Sequence, residues 1–284
     1  MKDIAKSVKA KLQNIAQKEG LVFQTLITRY IYERLLYRLS VSDYMEHFYL
    51  KGGALLFAIE QSHPRPTLDI DFLGVKIKND LSNMKNIFTE ICSIPCESDG
   101  VNFDIASIST INIAEEKHYK GVRVSITANL DSIKQIMKID IGFGDIVVPE
   151  AKEMKYPCYM GEVPQVSIMA YSKESIIAEK FHAMIELSET NSRLKDFYDI
   201  YQLLSNHQID RKNLSDAIVS TFKNRSTQYQ ENHILFSNLF MNDTTRIVQW
   251  NNFLKKIKFP TALEFSEVMT KITKELQPIY KELK

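Results

Sequence analysis

Apolar side chains recur at helical spacing from the start of the chain, at Ile4, Val8, Leu12 and Ile15, and Gly20 follows as a stop. The spacing predicts a helix over residues 4–18. A second helix is predicted over 23–39, where Leu26, Ile27, Tyr30, Ile31, Arg34, Leu35 and Arg38 describe a packing helix with a solvated arginine edge. From Phe48 to about Tyr159 the pattern shortens to β-like runs. Phe48-Tyr49-Leu50 leads into a diglycine, 54–59 reads as helix, 68–75 alternates as a strand and 81–91 reads as helix. Further β-rich stretches are predicted at 101–106, 107–113, 122–130, 137–141 and 146–148. After Pro164 the pattern is helical again, at 172–187, 194–204, 214–222 and 262–274, with loops or broken helix over 224–242. Ser172 is placed to cap the first of these, with Glu174 in its opening turn. The expected fold class is α+β, with N-terminal helices and a mixed sheet in a domain over 1–163 and a C-terminal helical domain over 164–284.

Composition narrows this picture little. With 44% hydrophobic and 25% charged residues the chain has an ordinary globular composition. A formal net charge of +1 excludes a chain-wide pull toward nucleic acid, so any basic groove must be local. Cys92, Cys96 and Cys158 form no even disulfide framework, and Cys92-x-x-x-Cys96 has no second pair with which to bind zinc. Free thiols in a reducing compartment are the simpler expectation. The charged opening residues show no apolar signal core, and no run approaches the ~18 apolar residues of a membrane span. The expected location is cytoplasmic, with no membrane partner.

The chemistry concentrates in the β-rich region. In Thr67-Leu68-Asp69-Ile70-Asp71-Phe72 the aspartates are two apart, so on a strand they share a face opposite Leu68, Ile70 and Phe72. Adjacent carboxylates repel unless a cation lies between them, and magnesium suits carboxylates, water and phosphate oxygens. A solvent-facing edge strand with alternating charge explains the same pattern. Upstream, Lys51-Gly52-Gly53 joins a strand to a helix, where backbone N–H groups can cradle phosphate; a tight turn accounts for the glycines equally well. Downstream, Lys138-Ile139-Asp140-Ile141 sets one aspartate in an apolar strand, which calls for a metal, an edge position or a salt bridge to Lys138. Taken together, Asp69, Asp71 and Asp140 meet the needs of two-metal chemistry.

This order of features resembles the nucleotidyltransferase fold of the DNA polymerase β superfamily and, more narrowly, the AbiEii/AbiGii toxin family. The resemblance runs from about Phe23 to Leu204. It is carried by Tyr49-Leu50-Lys51-Gly52-Gly53-Ala54-Leu55, by Arg65-x-Thr67-x-Asp69-x-Asp71-Phe72, by Ala178-Glu179-Lys180 and by Arg193-Leu194-Lys195-Asp196-Phe197-Tyr198-Asp199-Ile200. Ala54 departs from a small hydroxyl residue common in relatives, which removes a side-chain phosphate contact but not the backbone ones.

The resemblance implies a transfer of NMP from an NTP to an acceptor. Asp69, Asp71 and Asp140 would be the Mg2+ (or Mn2+) ligands, and Lys51, Gly52, Gly53, Arg65, Lys180 and Lys195 would bind the nucleotide. Lys180 and Asp196 would join the three aspartates as catalytic residues, with Lys195 and Asp196 pointing into the cleft. Read without it, Lys180 is a surface lysine paired with Glu179 or Glu174, and Asp196 is an acidic residue favoured in a first helical turn. His182, two residues on, turns away from Lys180 and is expected in the core or at the surface. The resemblance further implies the toxin of a type IV toxin–antitoxin or abortive-infection system, acting on the 3′ end of tRNA, with a separately encoded antitoxin. Arg29, Arg34, Arg38, Lys223 and Arg225 are candidate RNA-facing cations. Nucleotidylation of a protein hydroxyl, a non-catalytic nucleotide- or RNA-binding module and a metal nuclease remain as alternatives.

Overall fold

The computed structural model describes residues 3–60, 69–115 and 119–284. It divides into two compact units. The first comprises Met1–Ile59, Pro66–Gly144 and Lys152–Ala170; the second comprises Glu60–Arg65, Asp145–Ala151 and Tyr171–Lys284.

The first unit holds helices α1 (Ile4–Glu19), α2 (Phe23–Ser40), α3 (Gly52–Ile59) and α4 (Leu81–Ser93). Its strands are β1 (Phe48–Lys51), β2 (Ile70–Gly74), β3 (Val101–Glu115), β4 (Tyr119–Leu130), β5 (Ile133–Phe143), β6 (Lys152–Tyr156) and β7 (Val166–Ala170). They form one mixed seven-stranded sheet in the order β3-β4-β5-β2-β1-β7-β6. The predicted break near residue 106 is a register shift inside the single strand β3, between Asp104 and Ser109. There the Ser107 hydroxyl donates to Asp104 O (2.6 Å) and accepts from Thr127 N (2.8 Å), so a side chain replaces the missing ladder bond. The stretch predicted as strand at 146–148 is irregular, whereas β6 and β7 were not foreseen. β7 falls beyond Pro164, where helix was expected; its Val166, Ile168 and Ala170 are buried in the two-residue period of a strand.

Helix α2 departs from a one-sided packing helix, because twelve of its residues are buried, Glu33, Arg34 and Arg38 among them. Arg34 pairs with Glu33 and donates to Pro164 O (3.0 Å). Arg38 donates to Asp99 (2.7 Å), Ile94 O (3.0 Å) and Val101 O (3.1 Å). The expected solvated arginine edge is therefore an internal hydrogen-bond network, as buried charges require.

The second unit is helical: α5 (Lys173–Leu187), α6 (Leu194–Asn206), α7 (Arg211–Asn224), a short α8 (Asn238–Met241), α9 (Thr244–Lys256) and α10 (Phe265–Lys281). Ser172 caps α5 as predicted, accepting from Ser175 N (3.1 Å). Helix α10 continues past residue 274 and through Pro278, because Leu276, Ile279 and Tyr280 extend its buried stripe. Phe181, Phe222, Phe236 and Tyr280 meet at centroid distances of 5.6–6.2 Å in the core.

Candidate active site

Sheet register builds the site. Lys51 on β1 lies opposite Asp71 on antiparallel β2. Asp71 lies opposite Asp140 on parallel β5, and Asp140 opposite Arg123 on antiparallel β4. Directly paired residues share a face, with strands about 4.8 Å apart. The four side chains thus form one row across the sheet, cation, anion, anion, cation. The intervening positions Leu50, Ile70, Phe72, Val122, Val124, Ile139 and Ile141 are fully buried on the other face. Burial of that apolar face fixes the register, since a one-residue slip would turn every carboxylate into the core.

Gly52, which opens α3 directly after β1, has a φ of +65°. A Cβ there would lie 2.7 Å from Asp71 Cγ and 2.9 Å from Asp71 Cβ, and closer still to Oδ2. Glycine is needed because the Asp71 carboxylate fills the space any side chain would occupy. Asp69, just before β2, is exposed, and Asp71 is half-buried.

Asp140 is held by Arg123 in a two-pronged fork, Nε to Oδ1 and Nη2 to Oδ2, each 2.6 Å. Its salt-bridge partner is Arg123 rather than the Lys138 considered from the sequence. The hydrogen bond to Asp140 outweighs desolvation and, with the charges of Asp140, Asp69 and Asp71, holds Arg123 above the ordinary guanidinium range.

Tyr32 escaped the sequence reading. It is buried on α2, and its hydroxyl is hydrogen-bonded to the Lys138 backbone, one residue before the β2–β5 register begins. Burial, and then the negative charges of Asp69, Asp71 and Asp140, push this hydroxyl well above the usual phenol range, so it keeps its proton. A sequence signal did exist. Gln24 and Thr28 both reach Gln135 on β5, at 2.9 and 3.4 Å. Tyr32 continues their four-residue spacing along α2.

A second charged cluster lies within the helical unit. Lys180 Nζ on α5 is 2.6 Å from Asp196 Oδ1 and 2.8 Å from Asp199 Oδ2, both on α6. Beyond the Glu179 and Glu174 considered from the sequence, the structure sets these two aspartates against it. Arg193 Nε lies 2.6 Å from Asp196 Oδ2. Burial works to raise the Asp196 carboxyl, but Lys180 and Arg193 outweigh it and hold the group below the usual range. Asp196 is 0% exposed, whereas Lys195 is exposed. Asp196 is thus a buried ion-pair partner of Lys180. His182 is in the core as expected, 2.6 Å from Thr227 Oγ1 and edge-on to Phe222.

Arg65 lies outside the described residues. Of the proposed RNA-facing cations, Arg34 and Arg38 are excluded by burial, being 0% and 3% exposed. Arg225 is engaged by Asp145 (2.9 Å), and Arg29 lies over the Phe57 ring at 4.2 Å. Lys223 is exposed.

The carboxylates suit a hard divalent cation. Among the described residues no group of three or more His, Cys, Asp or Glu side chains is arranged as a metal cage. Magnesium needs none, since it commonly takes one or two carboxylates and completes its shell with water and phosphate oxygens. Asp69 and Asp71 fit that role, with Asp140 already engaged.

The mixed sheet sets aspartates of adjacent strands in register beside a glycine turn, the arrangement that the sequence likened to the nucleotidyltransferase class. Within that class the chain belongs to the AbiEii family, since the family model described as "Nucleotidyl transferase AbiEii toxin, Type IV TA system" matches residues 34–271. Membership of a toxin–antitoxin family implies a cognate antitoxin. Among solved structures the chain is similar to JHP933 from Helicobacter pylori, at 16% identity and a TM-score of 0.50, covering 93% of this chain and 94% of that one. It is also similar to an antigenic nucleotidyltransferase-like protein from Paracoccidioides brasiliensis, at 12% identity and a TM-score of 0.44, covering 89% and 92%. No curated protein sequence matches it. No helix among the described residues is long and apolar enough to cross a membrane.

Proposed function

We propose that the chain is a metal-dependent nucleotidyltransferase in which the 3′ hydroxyl of a tRNA attacks the α-phosphate of an NTP, taking up NMP and releasing pyrophosphate. The observation that carries this reading is the register of Asp71 with Asp140, beside a glycine whose missing side chain makes room for Asp71. Asp69 and Asp71 would hold Mg2+ or Mn2+, which when bound supplies positive charge to the α-phosphate during transfer. The Gly52 and Gly53 amides at the start of α3 donate to phosphate oxygens, and Lys51 adds charge at the same end of the row. Asp140, oriented by Arg123, retains lone pairs that accept a hydrogen bond from the attacking hydroxyl and aim it in line. For Lys180 and Lys195 a triphosphate contact rests on the family resemblance. What supports it in the helical unit is that Asp196 and Asp199 fix the Lys180 ammonium.

An RNA acceptor is supported by β5 itself. Lys134, Ile136 and Lys138 are exposed and alternate along the strand that carries Asp140, so all four share its face. Two cations flanking an apolar side chain suit phosphates flanking a base or sugar.

The test is incubation of the purified chain with each labelled NTP, with and without Mg2+, and with total RNA or lysate protein, followed by sequencing of extended 3′ ends. Label on tRNA that disappears in Asp71→Asn supports the proposal. Label on protein alone redirects the acceptor to a protein hydroxyl. RNA cleavage without added nucleotide identifies a nuclease, and nucleotide binding without incorporation a non-catalytic module.

A further inference from the structure

We propose that Arg123 is the resident cation of the third carboxylate, so that this centre takes one divalent metal ion where three converging aspartates would otherwise take two. The inference rests on the reading of Asp69 and Asp71 as metal ligands and concerns how many ions that site accepts.

Both oxygens of Asp140 accept short hydrogen bonds from one guanidinium, in the planar arrangement that is the strongest pairing a carboxylate makes with a side chain. The fork is built into the sheet. Nine consecutive residue pairs, Val122↔Ile141 to Leu130↔Ile133, hold β4 against β5 without a register shift, and Arg123↔Asp140 is the second of them. Arg123 therefore faces Asp140 through backbone pairing, as Asp71 does from the other side. The Asp140 side chain is 15% exposed and that of Arg123 33%, so water weakens the pair less than it would at an open surface.

A metal ion entering at Asp140 would compete with two charge-assisted hydrogen bonds for the carboxylate and place a dication beside a guanidinium. The residue that faces Asp71 on β1 is Lys51, a flexible point charge rather than a planar fork. The guanidinium stays charged at every pH the fold survives and supplies fixed positive charge where a second ion would otherwise sit. Asp140 is then left to orient the acceptor rather than to coordinate.

The experiment is Mn2+ titration of the whole chain with a non-hydrolysable NTP analogue, counting bound ions by electron paramagnetic resonance. Wild type is expected to bind one ion per chain, and Arg123→Gln to gain a second that is lost again in Arg123→Gln/Asp140→Asn. Asp140→Asn alone is expected to keep one ion at within about threefold of wild-type affinity, and this arm stands even if Arg123→Gln folds poorly. Two ions in wild type, or a large loss of affinity in Asp140→Asn, overturns the assignment while leaving the metal site itself intact. No ion bound to wild type overturns both this inference and the metal-dependent reading beneath it.

Discussion

Gly52 and Asp71 share one space: the carboxylate of Asp71 occupies the position that a side chain on residue 52 would need. The diglycine reads from the sequence as a phosphate cradle or a tight turn, and the structure gives its first member a reason of its own, room for Asp71. Gly52→Ala meets both a left-handed φ and the Asp71 carboxylate, which it must displace. The backbone conformation alone costs about 1–2 kcal/mol, which a melting curve will register as a modest decrease. Nucleotide incorporation should fall far more than stability, because Asp71 must move; unchanged incorporation would show that the carboxylate position is not critical.

Lys180 neutralises two buried carboxylates. Lys180→Met should destabilise the helical unit by about 3–5 kcal/mol, the usual cost of stranding buried charge. Denaturant titration of Lys180→Met, Asp196→Asn and the double variant should give a double loss well short of the sum of the single losses. Additive losses would mean that the pair is not coupled.

Acid should act through the same cluster. The folded Asp196 carboxyl is held below its ordinary range, so its contribution is fully present above the unfolded value of about 4 and is lost as pH falls toward the folded one. Asp196→Asn should flatten the acid limb of a stability–pH curve without altering its neutral region in shape. An acid limb identical to wild type would remove Asp196 as a contributor.

The exposed lysines of β5 and the buried arginines of α2 make opposite predictions. Lys134→Glu/Lys138→Glu should weaken RNA binding and reduce its salt slope by about 1.4, two single-strand phosphate contacts at ~0.7 each. Arg38→Ala should leave the slope alone and instead destabilise by about 3–5 kcal/mol, since it strands the fully buried Asp99. Filter binding across a salt series, with melting curves, separates the two effects; a reduced slope in Arg38→Ala would contradict its burial.

Tyr32→Phe removes a hydroxyl that accepts from the Lys138 backbone and feels the charges of Asp69, Asp71 and Asp140. The loss of one buried hydrogen bond should cost about 1 kcal/mol, while the transfer rate falls by about tenfold, as when one positioned polar contact is lost. A rate equal to wild type would reduce the hydroxyl to a packing role.

What could be read from the chain follows the range of the interactions. That Asp71 and Asp140 lie on strands opposite an apolar face was legible because strand alternation is local, and the α5 cap because Ser172 reaches only three residues ahead. Arg123 was not, since it meets Asp140 only through the pairing of β4 with β5, seventeen positions along the chain. Arg34 and Arg38 looked solvated because their partners, Pro164 and Asp99, are 130 and 61 residues away. Helix α9 was missed because its buried residues are only Arg246, Trp250 and Leu254, a stripe one residue wide in a polar stretch.

The bulge at Ser107 bears on how this protein keeps to itself. Strand β3 is one rim of the sheet and β6 the other. A straight rim of fifteen residues would be an open template for a neighbouring chain, and the irregularity between Asp104 and Ser109 interrupts it. At the opposite rim Lys152, Glu153 and Lys155 are exposed on the short strand β6, so an incoming strand would meet charge at most positions. Both margins of the sheet are thereby guarded against strand addition and against the aggregation it seeds.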